Sequence, residues 1–403
     1  MGNQQVWHRG GAVQLADRHA DCAPTSLYVH IPFCKSRCFY CDFNTYVAPE
    51  ETMERYAEAL AAEFKLVSAE ERGLLQTVFF GGGTPTLPPA RLLSRMLQSL
   101  HAHFSLADDA EFTFESNPDS IDREKLQVLR DHGVNRISFG AQTFRDHLLM
   151  AIGRAHDVQA IGEAVRLAAD VGFQHINIDL MFGLPDQTLE DVEHALAEVA
   201  LLPVDHVSAY WLKVEEGTPF GRWRDMGQLS LPGEDAEADM YDLVRRTLLD
   251  QGFRHYEISN FAKDGGEARH NLVYWRNRPY LAAGAGAHGY VHGVRYENVR
   301  RIPDYLRHLE AGQRPVAEST LLDVGERAED QMMLGLRLAE GVAEDAFEQR
   351  FGVPVEAVFG DVIRSLMANG LLERSGGAYR IPAPYWPVAN AIFEKFVSVV
   401  QVN

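Results

Sequence analysis

The 403-residue sequence predicts an α/β fold, in which a partial (β/α)6 barrel is followed by a smaller helical, winged-helix-like domain. Six strand-like apolar runs alternate with helical patterns, which is typical of a parallel sheet covered by helices. Polar residues and glycines cluster directly after these runs, where a barrel builds its site from several strand ends. A cysteine-rich loop follows the first run, whereas a doubly wound Rossmann sheet would carry G-x-G-x-x-G there. The partial barrel is therefore favoured over the Rossmann sheet.

The predicted barrel strands are short and apolar, and they are Leu27–Ile31, Thr77–Gly81, Glu111–Glu115, Arg136–Ala141, Ile176–Phe182 and His206–Leu212. Between them apolar residues recur every three or four positions, which predicts helices at Glu54–Val67, Ala90–His103, Arg123–His132, Ala160–Val171 and Leu189–Leu201. From about Pro232 the alternation breaks, and a helix at Asp235–Gln251 begins a segment that completes one side of the main domain.

We expect three parts: an N-terminal arm (1–25), the barrel with its C-terminal extension (26–312) and the C-terminal domain (313–403). Gly312 and Pro315 punctuate the chain at the second boundary. Beyond it, helical patterns precede a predicted hairpin with Gly376-Gly377 at its tip, which indicates a winged-helix-like domain. Eleven acidic residues against six basic ones between positions 321 and 380 disfavour contact with phosphates, so a lid or docking module is expected.

Composition and charge exclude several classes of protein. The net charge is −19 and no dense basic run occurs, so we expect no nucleic-acid partner. No stretch approaches the roughly 18 uninterrupted apolar residues of a membrane helix. The first residues lack the apolar core of a signal peptide, and a cytoplasmic protein is therefore expected.

Three cysteines lie in one loop at C-x3-C-x2-C spacing: Cys34, Cys38 and Cys41. Three thiolates can bind three irons of a cubane [4Fe-4S] cluster and leave the fourth iron without a protein ligand. A zinc site usually combines two such pairs, and the sequence has no second pair. Disulfides are disfavoured, because three cysteines this close without a secretory signal suggest a reducing compartment. The fourth cysteine, Cys22, lies outside the motif and is expected to be a passive thiol.

The cysteine loop after a short strand resembles the signature of the radical S-adenosylmethionine (SAM) superfamily. The flanking residues Tyr28-Val29-His30-Ile31-Pro32-Phe33 resemble the oxygen-independent coproporphyrinogen III oxidase family, and especially its haem chaperone branch, HemW. The oxidase branch has a further cysteine two residues after the third; this sequence has Phe43 there, which argues against the oxidase. The resemblance extends from Leu27 to the C-terminus and independently implies the partial barrel.

Three consecutive glycines follow the second predicted strand, in Gly81-Gly82-Gly83-Thr84-Pro85. Without a Cβ, they expose backbone N–H and C=O groups and let a ligand approach closely. Such a run alone also suits a plain tight turn. The resemblance implies that this segment binds the amino group and adjoining parts of SAM through Gly82, Gly83 and Thr84.

Polar side chains also occur within or after apolar strands. A charge in a buried strand costs several kcal/mol unless it is paired or bound to a ligand, so structural pairing is the alternative for each. A carboxylate can accept from ribose hydroxyls, and an arginine can pair with the methionine carboxylate through two hydrogen bonds. The resemblance places SAM contacts at Glu115, Gln142, Arg154 and Asp179, together with Tyr28 and Tyr40. The number of SAM molecules, one or two, stays open.

The segment from His270 to Trp275 reads His-Asn-Leu-Val-Tyr-Trp. On general grounds it is an aromatic core segment with a hydrogen-bonded histidine. It also matches the H-N-x-x-Y-W pattern of the haem chaperone branch, which implies haem handling. Imidazole is a normal axial ligand of haem iron, so His270 is the first candidate ligand and Trp275 a candidate packing partner. His288, at the end of the glycine-alanine loop, is a second candidate.

The resemblance implies a haem chaperone that binds haem as cargo and delivers it to an apo-haemoprotein, with a [4Fe-4S] cluster and SAM. An electron donor such as a flavodoxin or ferredoxin would serve the cluster. The alternative is an oxygen-independent coproporphyrinogen III oxidase that decarboxylates propionates, and a third class is an iron–sulfur protein without SAM cleavage. SAM cleavage, a membrane-associated acceptor and a homodimer stay open.

Overall fold

The computed structural model describes residues 4–8, 11–19 and 22–402. At the N-terminus, β1 (Gln4–His8) and β2 (Gly11–Leu15) pair as an antiparallel hairpin. A strand near the C-terminus, Gln401–Val402, pairs antiparallel with β1. The two ends of the chain therefore share one small sheet.

The central part of the chain alternates strands and helices, as its apolar periodicity predicts. In chain order the elements are β3 (Ser26–Ile31), α1 (Glu50–Glu70), β4 (Leu74–Gly82), α2 (Ala90–His103), β5 (Ser105–Ser116), α3 (Arg123–Asp131), β6 (Arg136–Gln142), α4 (Asp146–Ala151), α5 (Val158–Val171), β7 (His175–Phe182), α6 (Leu189–Ala200) and β8 (His206–Trp211). All the predicted strands and helices of this part are present, and α2 has its predicted bounds. Only α4 was not predicted, because its 6 residues are too few to show a helical period.

β5 begins at Ser105, well before the predicted start at Glu111. Its first residues pair with Leu74 and Leu75 of β4, and a bulge then shifts the register. The added segment, Ser105–Ala110, is half polar and largely exposed or half-buried, so the sequence shows neither regular alternation nor a buried apolar run there.

The chain after β8 completes the main domain. Its elements are α7 (Pro219–Asp225), α8 (Glu234–Asp250), β9 (Arg254–Glu257), β10 (Asn260–Ala262), α9 (Arg269–Trp275), β11 (Leu281–Ala283), β12 (His288–Val291), β13 (Val294–Asn298), α10 (Ile302–Glu310) and β14 (Val316–Leu321). Within the described residues, nine strands form the main sheet in the order β11-β3-β4-β5-β6-β7-β8-β10-β9. β3 to β8 are parallel, β11 adds parallel to β3, and β10 and β9 add antiparallel. β11 and β9 are the two open edges of this sheet, which agrees with the predicted partial barrel.

The two faces of the sheet differ in character. Val78 pairs in register with Leu27 and with Phe112, and the Phe112 ring meets His101 of α2, so this face packs on the helices. The next residues along β3 and β4 point the other way, where the Tyr28 and Phe79 rings stack at 6.1 Å. Because side chains alternate along a strand, the apolar ones pack against the helices. The polar ones lie on the opposite face of the sheet, which is the inner face of the barrel.

The last part of the chain forms a helical domain with a small sheet. Its elements are α11 (Val324–Gly335), β15 (Val342–Ala343), α12 (Glu344–Phe351), α13 (Val355–Ala368), β16 (Glu373–Ser375), β17 (Ala378–Arg380), α14 (Ala389–Phe393) and β18 (Gln401–Val402). β17 lies between β15 and β16 and pairs antiparallel with both. Gly376 and Gly377 form the turn between β16 and β17 with φ of +62° and +77°. The order of helices and hairpin agrees with the predicted winged-helix-like domain. No helix in residues 4–8, 11–19 and 22–402 is long and apolar enough to cross a membrane.

The predicted boundary between residues 312 and 313 precedes β14. β14 pairs antiparallel with β13, which in turn pairs with β12, so residues 316–321 lie in one sheet with the segment before them. The division into domains stays a prediction.

Candidate functional site

The cysteine loop leaves the carboxyl end of β3 and returns beside it. The Tyr46 N–H donates to the Pro32 carbonyl at 2.7 Å, and the Cys34 N–H donates to the Tyr46 carbonyl at 3.0 Å. These bonds close the base of the loop. Cys34, Cys38 and Cys41 are all half-buried, whereas Cys22 is exposed.

A chain of side-chain hydrogen bonds connects two of the sulfurs through residues of three other segments. The Thr84 hydroxyl donates to Cys34 Sγ at 3.6 Å and accepts from Asn117 Nδ2 at 2.9 Å. Asn117 Oδ1 accepts from Arg154 Nη2 at 2.6 Å, and Arg154 Nη1 donates to Cys38 Sγ at 3.5 Å. The cysteine loop is therefore held by residues from three other segments. Thr84 after β4 and Arg154 after α4 contact the sulfurs, and Asn117 after β5 joins these two residues.

The donor set fits a cubane cluster. Burial raises the pKa of the Cys34 thiol and raises that of Cys41 to about 11, so iron binding must displace both protons. The Thr84 hydroxyl at Cys34 and the Arg154 cation at Cys38 stabilise the thiolate form that binds iron. No three His, Cys, Asp or Glu side chains in the described residues are spaced for one metal ion. Ligands of a cubane bind different irons and lie further apart than ligands of a single ion.

The glycine run lets the end of β4 lie against β3 and the cysteine loop. Gly82 has φ of +111°, and a Cβ there would lie 2.4 Å from the His30 ring. A Cβ on Gly83 would lie 2.7 Å from the Phe33 carbonyl oxygen. The Gly83 N–H donates to the Ile31 carbonyl and the Thr84 N–H to the Phe33 carbonyl. A ligand amino group donates hydrogen bonds, so at this segment it must bind to oxygen atoms rather than to the N–H groups.

Glu115 and Asp179 lie on the inner face, Glu115 near the end of β5 and Asp179 in the middle of β7. Burial, with the nearby Asp179 charge, raises the pKa of Glu115 to about 8, although the Gly82 N–H donates to its Oε2 at 3.0 Å. Burial raises the pKa of Asp179 too, and Asn177 Nδ2 donates to its Oδ1 at 2.7 Å. The Glu115 charge adds to burial in raising the pKa of Tyr28 on β3. Side chains of β3, β5 and β7 thus face one common interior.

Arg154 is already engaged inside the protein. Besides Asn117 and Cys38, its Nη2 donates to the Gly140 carbonyl, and its Nε is buried without a hydrogen-bond partner. Nε is therefore a donor that the structure leaves for a ligand. Gln142 lies next to this group at the end of β6, with φ of +70° after a bulge.

His30, which the sequence analysis did not single out, connects the inner face to the cysteine loop. His30 Nε2 lies 2.9 Å from the Asn44 carbonyl, which only accepts, so Nε2 carries the proton. Nδ1 then accepts from the Tyr28 hydroxyl at 2.9 Å. Asn44 Nδ2 donates onward to the Ala285 carbonyl at 2.9 Å. Tyr40, inside the loop, is near Cys38, and burial raises the pKa of its phenol.

His270 lies away from the cysteines, inside the core. Its side chain is fully buried, Nδ1 lies 2.8 Å from the Thr77 hydroxyl, and Nε2 lies 2.8 Å from the Tyr274 hydroxyl. Burial lowers the pKa of the imidazole to about 3. In this arrangement neither ring nitrogen is free to bind iron. Trp275 stacks under the Arg337 guanidinium at 4.2 Å.

Sequence reasoning singled out the cysteines and the carboxylates of β5 and β7, but not His30, Asn117 or Asn44. Asn117 directly follows the end of β5, so the strand-end signal that identifies Glu115 applies to it as well. Asn44 follows no strand and acts through bonds to residues far along the chain, so the sequence contains no signal for it.

The sequence matches the Radical SAM superfamily over residues 28–199 and the HemN C-terminal domain over residues 322–384. It is 38% identical to the heme chaperone HemW of Bacillus subtilis over 374 residues, which cover 92% of this chain and 99% of that protein. It is 37% identical to the heme chaperone HemW of Lactococcus lactis, with 93% of this chain and 97% of that protein covered.

Among solved structures, the fold is similar to that of the Escherichia coli coproporphyrinogen III oxidase HemN, which is described as a radical SAM enzyme. The TM-score is 0.83 at 23% identity, and the match covers 94% of this chain and 91% of that one. At this identity the likeness concerns the fold alone.

Proposed function

This chain belongs to the HemW family within the radical SAM superfamily, and on that premise we propose that it is a haem chaperone. It binds haem and delivers it to an apo-haemoprotein, with a [4Fe-4S] cluster and SAM at the strand ends of its barrel. The names of its relatives support the haem cargo.

The cysteine loop is the observation that carries the cluster part of this proposal. Cys34, Cys38 and Cys41 supply three thiolates, and the Thr84–Asn117–Arg154 chain holds two of them from outside the loop. Groups that orient and stabilise metal ligands in this way strengthen metal binding substantially.

When bound, the cluster and SAM would supply one-electron redox chemistry at the strand ends. In this proposal the chain holds SAM through the inner-face side chains and the glycine segment. Glu115 and Asp179 would accept from ribose hydroxyls, the unpartnered Arg154 Nε would donate to the methionine carboxylate, and oxygen atoms near Gly82 and Gly83 would accept from the amino group. The remaining contacts are assigned to Tyr28, Tyr40, Thr84 and Gln142.

The partners follow from the cluster and the cargo. A one-electron donor such as a flavodoxin or ferredoxin would reduce the cluster, and an apo-haemoprotein would accept the haem. We place the chain in the cytoplasm as part of this proposal, because free, closely spaced cysteines persist in a reducing compartment.

One anaerobic preparation of the reconstituted full chain tests the proposal. We expect about four irons per chain, a shift of the Soret band on addition of haem, and transfer of that haem to an apo-haemoprotein. A Cys38→Ser variant should lose the cluster, and a Cys22→Ser variant is the matched control that should keep it.

Two outcomes would contradict the proposal. Conversion of coproporphyrinogen III to protoporphyrinogen IX with SAM and reductant would favour the oxidase, against which Phe43 argues. Absence of any Soret shift with the wild-type chain would refute the chaperone assignment and leave only an iron–sulfur protein.

A further inference from the structure

A cavity of about 540 Å³ lies between the end of α9 and the sheet of β12, β13 and β14. This volume is within the range of cofactor sites in proteins. Its walls include Tyr274, Trp275, Tyr280, Tyr290 and Tyr296. Aromatic rings that present flat apolar faces with polar edges suit a flat ligand with an apolar body and polar rim.

His288, at the start of β12, lines this cavity. Its side chain is 56% exposed, and its nearest ionic partner is Glu297, at 3.6 Å from Nε2, beyond hydrogen-bond distance. His270, by contrast, is fully buried with both nitrogens hydrogen-bonded. Of the two candidate ligands, only His288 therefore offers an imidazole nitrogen to iron in this arrangement.

The cavity also offers a cation for an acidic ligand. Arg278 lines it and makes no side-chain hydrogen bond or ion pair in the described part of the chain, whereas Arg295 is paired with Asp330 at 2.6 Å. The cavity carboxylates Glu297 and Glu318 lie opposite each other on β13 and β14. Carboxylate groups of a ligand are thus expected on the Arg278 side.

A row of aromatic contacts connects the cavity wall to the inner face of the barrel. The Tyr280 and Tyr274 rings meet at 4.7 Å, and the Tyr274 hydroxyl is bonded to His270. The His270 ring stacks on Phe79 at 5.2 Å, and Phe79 stacks on Tyr28. His270 therefore orients Tyr274, which forms part of the cavity wall.

We infer that this cavity is the haem site, with His288 as the axial ligand of the iron and Arg278 as the partner of a propionate. In this assignment His270 is a positioning residue that acts through Tyr274. The inference rests on the proposed function and names the site of its cargo.

Ferric haem and metal-free protoporphyrin IX, titrated separately into the full chain, test the assignment. We expect His288→Ala to weaken ferric haem binding by about tenfold or more and to shift the Soret band. Added imidazole should restore the wild-type spectrum. Binding of metal-free porphyrin, which takes no axial ligand, should not change. Arg278→Glu should weaken binding of both ligands.

Two matched controls accompany these variants. His292→Asn changes an exposed histidine that bonds Glu71 outside the cavity, and asparagine tolerates its φ of +53°. Arg276→Glu changes a neighbouring arginine that pairs with Glu340. Both should bind haem like the wild type. His270→Ala should weaken binding yet keep the wild-type Soret position, because the ligand is retained.

The failures are distinguishable. If the wild type binds no haem, the proposed function fails. If it binds haem and His288→Ala keeps both affinity and spectrum, the ligand assignment is refuted while the chaperone function stands. If His270→Ala loses the wild-type Soret spectrum and His288→Ala keeps it, the axial ligand is His270 and not His288. If Arg278→Glu changes neither titration, the cavity is not the site.

Discussion

Asn117 uses both ends of its side-chain amide to join two residues that contact cluster cysteines. Its Nδ2 donates to Thr84 and its Oδ1 accepts from Arg154. From its position just after β5, the Asn117 side chain reaches both Thr84, which follows the glycine run, and Arg154, which follows α4. The orientation of Cys34 and Cys38 thus depends on a residue that does not touch either sulfur.

Replacing Asn117 tests this dependence. We expect Asn117→Ala to leave the fold intact and to shorten the lifetime of the reconstituted cluster under a chelator by about 10-fold or more. Asn117→Asp keeps the acceptor for Arg154, so its cluster lifetime should lie between those of the wild type and Asn117→Ala. A chelation rate equal to that of the wild type would refute the role of the network.

Glu115 makes stability depend on pH. Its pKa is raised to about 8 in the folded chain, so between its ordinary pKa of about 4.3 and 8 the unfolded chain ionises this carboxyl while the folded chain keeps it protonated. In this window the folded chain binds more protons than the unfolded chain. The contribution of Glu115 to the free energy of unfolding therefore falls as pH rises from about 4.3 to 8. The Gly82 N–H donates to this carboxyl, and the titratable groups close enough to interact with its charge include Asp179, Tyr28, Tyr210, Tyr274 and Cys34.

We therefore expect Glu115→Gln to gain stability over the wild type as pH rises from 5 to 8, by up to about 4 kcal/mol. Urea unfolding at several pH values measures the difference. Glu124→Gln, an exposed carboxyl on α3, is the control that should show no such trend. A difference between Glu115→Gln and wild type that stays constant with pH would contradict the assignment.

The end of β4 shows how one element positions several others. Its glycines bring its backbone against His30 and the Phe33 carbonyl, while its N–H groups bond to β3, the cysteine loop and Glu115. The sequence predicted this run as a ligand contact, and the structure adds that packing also excludes a side chain there. The close approach depends on β3, whose place beside β4 is set by the whole sheet.

We expect Gly82→Ala to destabilise the chain by about 3 kcal/mol or more, because its Cβ overlaps the His30 ring and its φ is unfavourable for alanine. Gly133→Ala has a comparable positive φ with nothing within 4 Å of the added Cβ, and should cost only about 1 kcal/mol. Thermal unfolding of both variants measures the contrast. Equal losses would mean that backbone strain alone, and no contact with His30, requires glycine.

At the scale of the molecule, Arg350 of α12 ties the C-terminal domain to two distant segments. Its guanidinium makes two hydrogen bonds to Asp17, at 3.1 and 3.2 Å, and its Nη1 donates to the Asn277 carbonyl at 2.9 Å. The Asp17 side chain is fully buried. Asn277 directly precedes Arg278 of the cavity, so the hydrogen bond from Arg350 also helps to position the wall of the proposed haem site.

Removal of this arginine should be costly. We expect Arg350→Ala to lower the free energy of unfolding by about 3 kcal/mol, because Asp17 would be left fully buried with only Arg327, whose Nε lies 3.5 Å from the carboxylate. Arg364→Ala, which breaks an exposed pair with Asp361, should change it by less than about 1 kcal/mol. The midpoint of urea unfolding distinguishes the two. A small effect of Arg350→Ala would contradict this expectation and show that Arg327 suffices as the partner of Asp17.

The sequence by itself determined the elements of the barrel, the cysteine loop and the polar strand ends, because each of these is a local pattern of burial or spacing. Only the tertiary structure decided how they combine: that Asn117 joins Thr84 to Arg154, that His270 has both nitrogens occupied, and that His288 and Arg278 line one cavity. These contacts join residues far apart in the chain, and whether a histidine nitrogen is free depends on such neighbours. A motif therefore predicts which residues have the right chemistry, and packing decides which of them can use it.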